Sequence, residues 1–219
     1  MNKNPEPLIE LDGEQREQIK ASLPSKDTLI VDSMLRAGVP RSMARPDFSM
    51  AQEFGKPGEY LAGWGKKARA FFAEGRVLFI GAEREADMLA SGRMLYGLAR
   101  SLILNRNSCR VVPLATIAGA LTRDSEAALL GELEDMDALL LPDFLSENRP
   151  APFDQGTMSR LEGWLYHQLC RKGQGFVLVA ETADFSQCSK WWSRWFLSAM
   201  QERMESFIVT KSGRDFDLR

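Results

Sequence analysis

Four short apolar runs mark the chain from residue 76 onward: RVLFIG (76–81), RVVPLA (110–115), DALLLPD (137–143) and GFVLVAE (175–181). Each is too short for a helix and lacks polar alternation, which suits a strand buried on both faces. Helix-length segments lie between them, over roughly 86–106, 124–134 and 157–172. A last helix, SKWWSRWFLSAMQERM, precedes an alternating strand, SFIVTK. Strands alternating with helices predict an α/β fold with a parallel sheet and right-handed crossovers.

Upstream the pattern is different. Residues 1–10 read as disordered, and EQREQIKASLP reads as a short helix stopped by Pro24. SKDTLIVDSMLRAGVP reads as a second helix, with Ser25 as its N-cap and Gly38-Val39-Pro40 as its stop. The turn-rich stretch RSMARPDFSMAQEFGKPG is expected to wrap over the surface. GEYLAGWGKKARAFFAEG then reads as an amphipathic helix ending at Gly75.

Composition narrows the function classes. A length of 219 residues allows one ordinary domain, or one with a small appendage. The net charge of -2 gives no global basic field for nucleic acid, leaving only a local patch. Cys109, Cys170 and Cys188 are odd in number and widely spaced, which fits a reduced cytoplasm and gives no zinc spacing. The single histidine, His167, lies in a helical stretch, so zinc and Ser-His-Asp chemistry are set aside and no metal ligands are assigned. Neither a signal-peptide core nor an apolar run of membrane length is present in the sequence.

One stretch has the order of a phosphate-binding loop. GAEREADMLASGRM, Gly81 to Met94, joins a strand to a helix through a glycine turn. A Walker A loop, GxxxxGK[ST], wraps phosphates in backbone N–H groups, adds a lysine, and holds Mg²⁺ by a hydroxyl. Two registers fit. Without a gap the terminal trio is Ala86-Asp87-Met88; with a longer loop it is Gly92-Arg93-Met94, which leaves a more usual helix length and is preferred. Neither supplies the lysine or the hydroxyl, although Arg93 could pair with a phosphate.

Glu83, Glu85 and Asp87 would stand where a polyphosphate enters. One such like-charge pair costs about 4 kcal/mol at an effective dielectric of 20. The same acids are favoured at a helix N-terminus, so a carboxylate is expected to replace the phosphate there. The alternative is a solvated acidic loop before a helix.

The strand DALLLPDF ends in Pro142-Asp143, one acid where an NTPase normally carries two. KWWSRWF sets Lys190, Trp191, Arg194 and Trp195 close together, and aromatics between cations can stack single-stranded bases. Trp192, Phe196 and Met200 share a helical stripe, which favours packing, while one exposed tryptophan would mark a protein contact. Lys66, Lys67 and Arg69 form a small basic face or a merely solvated one, and KSGRDFDLR reads as a weak interaction tail.

The ordered set of segments resembles the AAA+ ATPase domain of the DnaC-type helicase loaders and the IstB-type transposition helpers. Leu35-Arg36-Ala37-Gly38-Val39-Pro40 resembles the family's "aGIP" entrance, and Pro46-Asp47-Phe48 the aromatic that follows it. RVLFIG…GRMLYGLARSLI is similar to the Walker A strand and helix, and MDALLLPDFLSE to "vdlLilDDlG". LYHQLCRKGQGFVLVAETADFSQ resembles the sensor 1 region, and WFLSAMQERMESFIVTKSGRDFDLR the closing segment.

The resemblance implies a P-loop NTPase-like, RecA-type AAA+ fold over 35–219, with a partly helical extension over 1–34. It also implies ATP binding, oligomerisation, and work on DNA with a replicative helicase or a transposase. By position, Gly81, Gly92 and Arg93 fall on the phosphate loop, Asp143 on the second Walker B acid, Thr182 on the sensor 1 asparagine, and Arg203 on the arginine that reaches a neighbour's nucleotide. Lysine, Mg²⁺ hydroxyl, first acid and sensor asparagine are all changed, which implies a pseudo-ATPase without a working ATP/Mg²⁺ site. The expected role is an accessory protein of replication or of a mobile element. The alternatives are an active loader that uses Arg93, and a purely protein-binding regulator on the same frame.

Overall fold

A computed structural model describes residues 25–45, 47–82, 84–123, 127–145, 153–170, 174–180, 185 and 191–218, with residues 85, 86, 145 and 212 described by their backbone alone. The expected disordered start and the helix before Pro24 lie outside the described residues.

The sheet is built outward from its most apolar runs. β1 (Val77–Ala82) and β4 (Gly175–Ala180) are buried at every residue, as unalternating apolar runs require. They pair in parallel, with β3 (Ala138–Leu145) beside β4 and β2 (Cys109–Val111) beyond it. On the other side β1 pairs with β5 (Met204–Thr210), and β6 (Asp215–Leu218) closes that edge antiparallel. The order is β2-β3-β4-β1-β5-β6. The tail read as an interaction segment is therefore a tight Lys211–Gly213 turn and an edge strand.

Helices cover both faces. On one lie α1 (Lys26–Arg36), α2 (Met50–Phe54), α3 (Lys56–Ala73) and α4 (Glu85–Leu104), packed on Leu78, Ile80, Val177, Val179, Phe207 and Val209. On the other lie α5 (Leu114–Thr122), α6 (Ala127–Glu134), α7 (Gln155–Cys170) and α8 (Arg194–Gln201), packed on Phe79, Leu139, Leu141, Phe176, Leu178 and Ile208. This is a three-layer α/β fold around a sheet that is parallel except at its β6 edge.

Three sequence expectations need correction. RVVPLA forms a strand only through Val111, because Pro113 lacks an N–H and opens α5 instead. The stretch from Arg41 to Gly58 does not wrap over the surface: Met43, Ala44, Phe48, Met50 and Phe54 are buried in the first-face core. Gly97 on α4 makes this possible, since a Cβ there would run into Met50 and Phe48. The boundary drawn at 34/35 falls inside α1, whose Met34 is fully buried.

The helix-stop Gly38 does more than end α1. The Val111 N–H donates to the Ala37 carbonyl at 2.7 Å, and Arg110 Nη1 donates to the Arg36 carbonyl at 2.6 Å, so the end of α1 covers the edge strand β2. Gly38 has φ of +86°, and a Cβ there would stand 2.7 Å from the Val111 oxygen. Gly38→Ala is therefore expected to destabilise the fold by roughly 1–3 kcal/mol through left-handed strain and this clash. Gly131→Ala in α6, where a Cβ meets open space, is expected to stabilise it by roughly 0.5–1 kcal/mol. Thermal unfolding of the two variants should shift in opposite directions.

Candidate phosphate-loop site

β1 runs through Ala82 and α4 begins at Glu85, so only residues 83 and 84 separate them. Arg84 takes the N-cap position with extended backbone and makes no side-chain cap. The acids at the start of α4 suit the positive end of a helix, which favours an early helix start. The preferred longer-loop register is thereby overturned. Gly92, Arg93 and Met94 lie in the third turn of α4, with Arg93 roughly 12 Å along the axis from Glu85. Met94 is fully buried. Arg93 pairs with Glu53 and stands over the Phe54 ring at 5.8 Å, so it ties α4 to α2. Gly81 lies inside β1, opposite Ala180 and Ile208.

The ungapped register puts Asp87 at the helix start, where the motif's lysine would be. Its backbone N–H donates to the Arg84 carbonyl at 2.8 Å. Its side chain is 1% exposed, and neither carboxylate oxygen has a hydrogen-bond partner. The side chains of Glu83 and Glu85 lie outside the described residues. The expected placement of an acid near the helix N-terminus thus holds for Asp87.

Asp143 follows Pro142 within an irregular stretch of β3. Leu141 pairs with Leu178, and the next registered pair is Leu145 with Ala180, so four steps on β3 match two on β4. The proline cannot donate to the ladder, which accounts for a bulge at this point. Asp143 Oδ1 accepts the Leu114 N–H at 3.0 Å. Asp143, the acid expected at the end of this strand, therefore caps the first residue of α5.

The other candidates are dispersed. Thr182 and Lys190 lie outside the described residues. Arg203 precedes β5, and the pairing of Val77 with Met204 puts it at the opposite end of the strands from the α4 turn, on the order of 20 Å away. Its Nη1 donates to the Leu169 carbonyl at 3.2 Å. Lys66, Lys67 and Arg69 are exposed on α3, over the first face. Trp191, Arg194 and Trp195 belong to the second face, so the two groups do not form one surface. Trp192 is core, stacked on Phe144 at 4.9 Å, and Phe196 and Met200 are buried with it. Trp195 is 51% exposed.

A cleft of about 420 Å³ lies beside α4, lined by Glu53, Phe54, Leu89, Ala90, Arg93 and Arg214. Gly213 closes one wall, because any Cβ there would meet Ala90. Sequence reasoning missed this cleft: its walls come from the segment expected on the surface and from the tail read as a weak interaction site. Elsewhere chemistry is muted. Burial pushes the Cys109 thiol up to about 12, with Asp137 adding to the effect, so it is no thiolate near neutral pH. Among the described residues no group of three or more His, Cys, Asp or Glu could hold a metal ion. None of the described helices is long and apolar enough to cross a membrane.

No protein-family model and no curated protein matches the sequence significantly. Solved structures do match. A Streptococcus pyogenes serotype M3 protein, a proposed primosome component, is similar with a TM-score of 0.55 and 11% identity over 85% of this chain and 97% of that one. A DNA replication initiation factor is similar at 0.52 and 12% over 75% of this chain. The structure of DnaI is similar at 0.51 and 12% over 80% of this chain and 94% of that one. The chain spans only 49% of the initiation factor's length. At such identities the likeness shows the fold, that of the AAA+ P-loop NTPases.

If Asp143 acts as a cap, Asp143→Ala should lower stability by about 1 kcal/mol through loss of the bond to Leu114. Denaturant unfolding should show a shifted midpoint with an unchanged slope.

Proposed function

We propose that this chain is a cytoplasmic AAA+-like accessory protein of DNA replication or of a mobile element, related to the helicase loaders, with an ATP site that no longer works. It acts by holding a replicative helicase, another replication protein or DNA, and not by turnover. The observation that carries this reading is Asp87. A buried carboxylate without a partner stands where the motif needs a lysine, and a polyphosphate beside it meets a like charge. The shortness of the turn and the use of Asp143 as a cap support the same reading. The similarity in fold to replication and primosome proteins supports the process, though not the partner.

An active loader that uses Arg93 draws no support from an arginine in the third turn engaged by Glu53. A regulator that binds only protein keeps its standing, and retention on DNA at low salt, where electrostatic binding is strongest, separates it from the first reading.

Isothermal calorimetry with ATP and ADP is expected to give no binding heat, with or without Mg²⁺, and no phosphate release is expected. Mg²⁺-dependent hydrolysis that Asp143→Ala abolishes would overturn the proposal. Asp87→Ala gives a second check. Burying an unpaired carboxylate costs several kcal/mol, whereas the favourable effect of the helix end reaches ~2 kcal/mol at most. The substitution should therefore raise the melting temperature; a clear fall would mean that Asp87 is an ordinary helix-end acid and would remove the main support.

A further inference from the structure

The outer side of α3 carries a feature that the fold does not use. The buried row of this helix, Leu61, Gly65, Ala68 and Phe72, packs inward. Beside that row lies a mostly apolar groove of about 240 Å³, lined by Glu59, Tyr60, Gly63, Trp64, Lys67 and Phe71. Its aromatic floor is held in place. Trp64 meets Phe71 with ring centroids 5.3 Å apart, and Tyr60 stacks on Phe207 at 5.5 Å while its hydroxyl donates to Glu205. Arg76 stands over the Phe71 ring at 5.2 Å and pairs with Glu74. Gly63 forms the notch. A Cβ there would meet nothing within 4 Å, whereas the Cβ positions of Gly58 and Gly65 on the same helix are taken by Met50 and Ser101. Packing within the chain therefore does not call for glycine at 63, although glycine weakens a helix interior.

Charge is arranged symmetrically about this notch. Glu59, Gly63 and Lys67 follow one another at steps of four, on one side of the helix. Glu59 and Lys67 are exposed, and among the described residues no ion pair holds either of them. They stand roughly 12 Å apart along the axis, too far to pair with each other. The groove thus has an acid at one end and a base at the other, equally far from its glycine. Lys56 and Lys66 are also exposed on α3, and Arg69 lies about 120° round the helix from Gly63.

We propose that this groove is the contact between two copies of the chain, α3 against α3, antiparallel about a two-fold axis at Gly63. In such a contact one patch serves both copies, and residues equally far from the axis on either side meet. Glu59 of each copy then faces Lys67 of the other, so both unpaired charges find opposite partners. The neighbouring positions agree. Lys66 is matched with Tyr60 and Lys56 with Ala70, so no cation of the contact faces a cation. Gly63 at the crossing lets the two backbones approach, and the aromatic floor is closed off from water. A partner of other sequence would leave the mirrored spacing of acid, glycine and base unexplained. The inference holds whether or not the α4 turn binds nucleotide.

The test is sedimentation equilibrium of the full chain over a range of concentrations at low salt, where exposed ion pairs are strongest. A reversible monomer–dimer equilibrium of the weak class is expected, since one helix per copy buries a small area. Glu59→Lys alone and Lys67→Glu alone should each weaken it about tenfold or more, because each turns both pairs into repulsions. An equimolar mixture of the two variants should dimerise again, as the basic groove of one then faces the acidic groove of the other. Both changes in one chain should restore the dimer as well. Melting temperatures of the charge variants should stay unchanged, since both side chains are exposed. Gly63→Ala should raise the melting temperature of dilute, monomeric protein and yet weaken the dimer. A chain that stays monomeric at every concentration leaves the groove to another partner and overturns the proposal. So does a dimer that the single reversals leave intact, or one whose loss the mixture does not repair, which would place the contact elsewhere or make it head to tail.

Discussion

The whole architecture depends on burying β1 and β4 on both faces at once. Neither strand has a residue open to water, so the chain must supply two helical layers. Burial of a large aliphatic or aromatic side chain contributes roughly 1.5–3 kcal/mol, and Phe79, Ile80, Phe176 and Leu178 are all fully buried. The two helical layers follow the alternation of these side chains. Ile80 and Val177 point to the α1–α4 side, and Phe79 and Phe176 to the α5–α8 side. Position on one side or the other then decides which surface residues can cooperate, which is why the cations of α3 and of α8 do not meet.

Much of this frame was legible in the sequence. RVLFIG, DALLLPD and GFVLVAE could be read as strands because uninterrupted apolar runs of that length have few other uses in a globular chain. The stripe of Trp192, Phe196 and Met200 was equally readable, since helical spacing on one face predicts packing. The failures share a cause. Composition suggested a surface segment before α3, but Met43, Phe48 and Met50 find an opening above Gly97 that is visible only when α4 is in place. The tail looked like a charged end, yet Phe216 stacks on Phe207 at 4.6 Å and packs tilted against Tyr60 at 5.0 Å. Sparse apolar residues in a polar stretch give no periodic signal, and only tertiary neighbours reveal their role.

The turn between β1 and α4 was legible as a strand-to-helix connection, and the start of its helix was not. The order of strand, glycine and helix pointed to a strand-to-helix turn, and the chain has one between β1 and α4. Helix length suggested starting α4 late, and the acids that start it early were read only as a barrier to phosphate. The two effects have one origin: a carboxylate favoured by a helix N-terminus is also a carboxylate that extends the helix backward. Asp143 shows a similar exchange. An acid at the end of a buried strand can hold a cation or accept a neighbouring N–H, and the start of α5 at Leu114 brings that N–H within reach.

The brevity of the connection between β1 and α4 also determines what could be built there. A bound phosphate is held chiefly by a ring of main-chain donors pointing into one space. Gly81 and Ala82 are committed to the sheet ladder, and the Asp87 amide to the Arg84 carbonyl. A lysine introduced at position 87 would bring charge to a place with few amides left to share the load. The limit therefore resides in the backbone path, and making room for such a ring of donors would mean unwinding the end of a strand and the start of a helix together.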